Sequence, residues 1–333
     1  MRRYEVVDMA RAIAIILVVI GHYRPAYAPD WYSSMIDIIY LFHIPVFMFL
    51  SGFVYATQHS KTKSYGGFVW DKVQRLMVPY LAISILVISL KLVGSLFLKV
   101  AHEASFCSFL EIFYLPAAGF YLWFCWALFQ IFAIVHLLKT RIAYIVTLVV
   151  SLLLNIYICI AEVAVTDLFA LNMVVRMLPV FLLGVLAGEY KEMFQTMFRH
   201  PKSVTVVGWG IVLCSWKLDL YPNVLASLAG VIATWALSEV ISESKNKATS
   251  YLKERLMHIA AAAYTIFLLH TTFEGFITSL SSKLFGESML ASNVYFAIFA
   301  LLIISCGVVC PYVLHHYLLS KYRVTQILVG IKK

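Results

Sequence analysis

The chain has 333 residues, of which 62% are hydrophobic and 13% charged, with a mean hydropathy of +0.87; a soluble domain carries about a quarter charged residues. A water-soluble fold is excluded and a polytopic membrane protein expected, because each helical crossing of a bilayer core about 30 Å thick takes roughly 20 apolar residues. The net charge of +9 reads as a topology signal and an attraction to membrane lipids with anionic headgroups, and calls for no nucleic-acid partner.

In chain order, apolar windows at residues 9–27, 33–57, 76–98, 121–138, 142–160, 169–189, 203–218, 223–241, 257–280 and 293–318 predict an all-α bundle. It forms a single integral-membrane domain over residues 1–333, with about ten transmembrane helices. Lys and Arg fall unevenly between these windows. With both termini cytoplasmic, the inward segments, from Arg2 and Arg3 through Lys61 to Lys332 and Lys333, hold 19 of them and the outward segments only Arg24, Lys99 and Lys283. That asymmetry predicts an even number of spans with both ends inside.

Arg2 and Arg3 ahead of AIAIILVVIG, with Ala26-Tyr27-Ala28 after it, imitate a secretory signal. Pro29 just past the cut, and the polar residues inside the segment, predict instead that it is kept as the first span. The polar stretches 58–75, 190–202 and 242–256 are too short to bury a core of their own, so no soluble domain is expected. Segment 99–120, ending at Pro116 and Gly119, reads as a re-entrant or surface-lying cover over a site. The six cysteines lack CxxC or Cys/His spacing and are expected to be structural thiols, with no metal.

Ionisable side chains inside a span cost about 3 kcal/mol or more each and face a protein interior or a wet cavity, so they are the informative positions. The first span holds Asp8, Arg11 and His22, the second Asp37 and His43; Lys91, Arg176, Glu239, His270, Glu274, His315 and His316 follow. At 1.5 Å per residue, His22 sits roughly 20 Å above the inner surface, and His43, Arg176 and His270 share its band of depth. Arg11 lies lower, with Lys72 and Arg75, as a basic inner mouth. Asp8 and Arg11, three residues apart, are expected to pair; Arg11 and His22, about three turns apart, can line one helix face. Pro45 removes a backbone donor and clashes with the carbonyl of Leu41, so the helix should kink beside His43, and Ser51-Gly52 allows a close helix approach or a second bend. His315, His316 and Lys91 read as interfacial or snorkelling residues. Tyr121, Trp123 and Trp126 fit an aromatic belt or a sugar-stacking platform. Glu274, one turn past His270, orients that ring or meets an outer ligand.

DMARAIAIILVVIGH (8–22), an Asp-x-x-Arg followed after ten residues by a histidine, and FHIPVFMFLSGF (42–53) resemble motifs of the acyltransferase 3 family of integral-membrane acyltransferases. The likeness is to its fucose 4-O-acetylase-like and polysaccharide O-acetyltransferase branch. DKVQRLMVPYL (71–81), YLWF (121–124), RMLPVFLLGVLAG (176–188) and AYTIFLLH (263–270) are similar to its later segments. The hydrolase-like domain joined to some members has no counterpart here.

The resemblance implies transfer of an acyl group, usually acetyl, from cytoplasmic acetyl-CoA to a hydroxyl of a sugar or glycolipid. Arg11, Lys72 and Arg75 would meet the CoA phosphates, and His22 would act as general base or carry the acyl group itself. His43 and Arg176 would stabilise the oxyanion or orient His22, with Asp8, Ser51, Trp123, His270 and Glu274 in support. Transfer of another acyl group such as succinyl, or transport of a glycan or lipid intermediate, are the alternatives. A transporter has no use for a basic mouth leading to a base. Neither the acceptor sugar nor the oligomeric state is written in the sequence.

Overall fold

The computed structural model describes residues 5–58, 63–98, 100, 103–116, 121–218 and 224–331, and every regular element among them is helical. Arg2, Arg3, Lys61, Lys99, Gly119, Lys332 and Lys333 lie outside the described residues. Helix α1 (Glu5–His22) precedes α2 (Asp30–Tyr40) and α3 (His43–Thr57), which together form the second predicted span. The third comprises α4 (Tyr65–Lys72), a π-turn (Val73–Met77) and α5 (Val78–Gly94). A single turn, α6 (Ser108–Glu111), lies in the outer segment ahead of α7 (Trp123–Leu137), α8 (Arg141–Ile160) and α9 (Leu171–Glu189). Helix α10 (Lys191–Thr196) leads to the pair α11 (Pro201–Lys217) and α12 (Val224–Glu243). Last come α13 (Lys247–Phe285), α14 (Glu287–Leu290), α15 (Asn293–Leu314) and, past a π-turn at His315–Leu319, α16 (Arg323–Leu328).

Each of the ten apolar windows thus has a helical counterpart. Among the described residues, seven helices are long and apolar enough to cross a membrane: Asp30–Thr57, Tyr65–Gly94, Arg141–Ile160, Leu168–Glu189, Val224–Glu243, Lys247–Phe285 and Asn293–Leu319. Helix α7 is apolar but only 15 residues long, α11 has 17 residues, and α1 carries Glu5, Asp8 and Arg11 among its 18. Polarity does not end these helices. Helix α13 starts inside the polar stretch 242–256, where Asn246 accepts a hydrogen bond from the Ala248 N–H at 3.0 Å, and its 39 residues span about 58 Å.

The second span breaks beside His43 as its proline requires. Leu41 and Phe42 are non-helical between α2 and α3, with Pro45 at the third position of α3. The Leu41 carbonyl, whose helical partner Pro45 cannot provide, accepts the Ser227 hydroxyl of α12 at 2.6 Å.

Past the break, α3 packs against α9 through glycines. A Cβ at Gly52 would fall 2.0 Å from the Phe181 carbonyl oxygen and one at Gly184 2.0 Å from that of Phe49, with Gly188 against Ala56 and Phe53. The Ser51-Gly52 pair is therefore a close approach rather than a second bend, made by small residues as in other membrane helix pairs. The paired positions rise together along both chains, so α3 and α9 run parallel, the arrangement that the second and sixth spans of the predicted topology require. Gly52→Ala and Gly184→Ala should each destabilise the bundle by about 1–3 kcal/mol, the cost of overpacking. Thermal unfolding of detergent-solubilised protein, followed by size-exclusion chromatography, checks this; unchanged transitions would refute the contact.

Candidate active site

Four helices converge on one narrow space. A cavity of about 150 Å³ is lined by Arg11 and Val18 of α1, Ile44, Phe47 and Ser51 of α3, Leu76, Phe124 and Leu128 of α7, and Ala263, Tyr264 and Phe267 of α13. Each of the four helices places a polar ring just beyond its last lining residue: His22 after Val18, His43 before Ile44, Tyr121 before Phe124, and His270 after Phe267. In the predicted topology all four steps lead outward, so the cavity is an apolar tube with a histidine-rich end.

The rings at that end are in contact. His22 lies 5.0 Å from His270 and 5.7 Å from Tyr121, centroid to centroid, and Tyr121 lies 5.1 Å from His270. His43 is near enough to act on His22 electrostatically. Tyr121 donates its hydroxyl to the Leu268 carbonyl at 3.0 Å, tying α7 to α13. His43 and His270 are both buried, and each turns Nδ1 to a backbone carbonyl: His43 across the break to Ile39 O of α2 at 2.8 Å, His270 within α13 to Ile266 O at 3.0 Å and Phe267 O at 2.8 Å. A carbonyl only accepts, so Nδ1 carries the proton and Nε2 of a neutral ring keeps its lone pair. His270 Nε2 is buried without a hydrogen-bond partner.

Below the tube the charge is basic. A second cavity of about 220 Å³ is lined by Lys72, Arg75, Leu76, Phe132, Tyr264 and Gly330, and shares Leu76 and Tyr264 with the first. Lys72 Nζ stands 3.4 Å from the centroid of Phe132 and 5.1 Å from that of Phe68, a cation–π seat that holds an ammonium against apolar walls. Arg75 is exposed on the π-turn. Arg11 reaches into the tube about three turns below His22, its Nη1 2.8 Å from the buried Asp8 carboxylate. The expected pairing of Asp8 with Arg11 holds.

Other expected residues fall elsewhere. Arg176 is exposed and donates to Asn172 Oδ1 at 2.8 Å, and no described contact joins it to the histidines. It stands about 80° around α9 from Gly184, which faces α3. Trp123 lies at the edge, its ring 6.2 Å from Phe124. Asp37, counted among the ionisable residues of the second span, pairs with Arg24 at 3.0 Å with both half-exposed. His315 is bonded through Nδ1 to the Thr265 hydroxyl at 2.7 Å, an interhelical tie. Sequence reasoning assigned no role to Tyr264, which walls both cavities; its spacing of three from Phe267 was the available signal. It also missed Gly330, which at φ +68° returns the tail to the mouth, 2.7 Å from Arg75 O to where its Cβ would be.

Against known proteins, a family profile described as "Acyltransferase domain" matches residues 4–314. The chain is 28% identical over 228 residues to the nodulation protein NolL of Sinorhizobium fredii, covering 64% of this chain and 58% of that protein. It is 25% identical over 219 residues to NolL of Mesorhizobium japonicum, covering 61% and 56%. The chain thus spans somewhat over half the length of these curated relatives. No solved structure gives a significant match.

Proposed function

The chain belongs to the acyltransferase 3 family, and from that premise we propose that it moves an acetyl group from cytoplasmic acetyl-CoA to a sugar hydroxyl, on a cell-surface polysaccharide or a lipid-linked precursor, at the plasma membrane. The observation that carries the reading is the pair of cavities sharing Leu76 and Tyr264, one basic and the other apolar, with the contacting rings of His22 and His270 about one turn beyond the lining residues Val18 and Phe267. The mouth suits a polyanion, with Lys72, Arg75 and Arg11 for the phosphates of the donor. The apolar tube suits the thin arm that carries the thioester.

In this reading His22 takes the proton of the acceptor hydroxyl as its oxygen attacks the thioester carbonyl carbon. The carbon–sulfur bond then breaks and the CoA thiolate recovers the proton from His22. His270 and His43, with Nδ1–H engaged on backbone, offer lone pairs rather than donors; they serve to hold and orient His22 rather than to stabilise an oxyanion. Arg176 would have to leave Asn172 to take that part.

The experiment is mass spectrometry of surface glycans from cells with and without the protein. An added acetyl mass that depends on the protein is the expected result. A succinyl mass would change the donor, and altered glycan export with no acyl group would replace acyl transfer by transport.

A further inference from the structure

We infer that Glu274 anchors a second hydroxyl of the acceptor, so that the acceptor is a neutral polyhydroxylated ring bound between α1, α13 and α15. This deepens the transferase reading and rests on it. Glu274 lies one turn, about 6 Å, outward of His270 along α13. Its side chain is buried, with both carboxylate oxygens lacking any hydrogen-bond partner. Its room is provided by α15: a Cβ at Gly307 would fall 2.8 Å from Glu274 Oε1 and 2.9 Å from Val19 Cγ1 of α1.

A buried carboxylate with no donor is costly, and a structural position would be filled more stably by an apolar side chain. Of the described outward cations, Arg24 is paired with Asp37 and Lys283 donates to the Phe97 carbonyl at 3.1 Å. Glu274 acts electrostatically on Tyr23, Tyr32 and Tyr40. The last two donate their hydroxyls to Ile20 O at 3.1 Å and Gly21 O at 3.2 Å. The Tyr23 hydroxyl, like the two oxygens of Glu274 and Nε2 of His270, is buried without a partner.

This set is rich in acceptors. It would repel a phosphate and suits a ligand that brings O–H donors. Beside it, Tyr23, Trp31 and Tyr32 surround Phe296 at centroid distances of 6.0, 6.0 and 4.9 Å, and Trp31 is half exposed, giving an outer approach with apolar faces for a sugar ring.

The test uses membranes containing wild-type, Glu274→Ala, Glu274→Gln or Gly307→Ala protein, matched for amount. They are supplied with acetyl-CoA labelled in the acetyl group and with surface glycan stripped of O-acyl groups by mild alkali. Leaving a buried acceptor hydroxyl without its partner predicts that Glu274→Ala raises the glycan concentration for half-maximal rate by about 10- to 100-fold, with the acetyl-CoA dependence unchanged. Gly307→Ala, which crowds the carboxylate without removing it, should act in the same direction, and Glu274→Gln, which keeps one acceptor, should be milder. An unchanged glycan dependence in the variants, or equal weakening toward donor and glycan, overturns the anchor while wild type still transfers. No transfer by wild type overturns the transferase reading and the anchor with it.

Discussion

Replacing His22 by alanine is expected to cut O-acyl transfer by roughly 100- to 10,000-fold, the usual worth of a positioned general base, while the protein still reaches the membrane in wild-type amount. The two halves of that expectation have separate physical grounds. His22 is the last residue of α1, and no described hydrogen bond holds its ring, so truncation removes little that the fold depends on. Its ring faces His270 at 5.0 Å and Tyr121 at 5.7 Å at the end of the tube, where the thioester would arrive, so truncation removes the group placed to take a proton. His43→Ala and His270→Ala offer the contrast. Both rings are buried and bonded to backbone carbonyls, His43 to α2 and His270 within α13, so their loss should lower stability as well as activity. Transfer is measured by incorporation of labelled acetyl groups into surface glycan, and protein amount by immunoblot. Partial recovery of the alanine variant with added imidazole would support a base, whereas an acyl group found on His22 in wild-type protein would establish the covalent route. Full activity in His22→Ala would overturn the assignment.

The two motifs richest in buried polarity were also the most legible. Arg11 and His22 announced themselves by charge inside an apolar run, and their separation fixed a common helix face before any coordinates. His43 and its kink followed from one proline, because Pro45 removes a specific hydrogen bond and the break sits where that bond would have been. What spacing along one helix cannot encode is the rotation of one helix against another. Arg176 was read by depth alone, and α9 turns its glycine face to α3 while the arginine points to Asn172. The 39-residue length of α13 was hidden for a different reason: hydropathy marks where lipid ends, not where a helix does, and Asn246 caps a helix that begins in polar sequence. Tyr264 and Gly330 were illegible because a wall residue has no distinctive chemistry until a second helix or the tail closes the space beside it.

Arg11→Gln should carry two separable defects. Asp8 is buried, and Arg11, about a third exposed, provides a guanidinium 2.8 Å from its carboxylate; removing one partner of a part-buried pair costs about 1–3 kcal/mol, between the worth of exposed and of fully buried pairs. Arg11 also lines the tube, where its charge would meet the donor. The first defect depends on Asp8 being charged and the second does not. Adding Asp8→Asn to Arg11→Gln should therefore recover most of the lost thermal stability, since a neutral amide tolerates burial better than an unmatched carboxylate. The acetyl-CoA KM should stay about tenfold or more above wild type, the worth of one charge-assisted hydrogen bond. Thermal unfolding of solubilised protein and the acetyl-CoA dependence of labelled transfer give the two readings on the same four proteins: wild type, both single variants and the double. If the double variant regains both stability and donor affinity, Arg11 serves only to hold Asp8 and the phosphates are met by Lys72 and Arg75 alone. If it regains stability only, the ion pair exists to hold a guanidinium in a tube that would otherwise expel it, and the charge in the first span is part of the donor site.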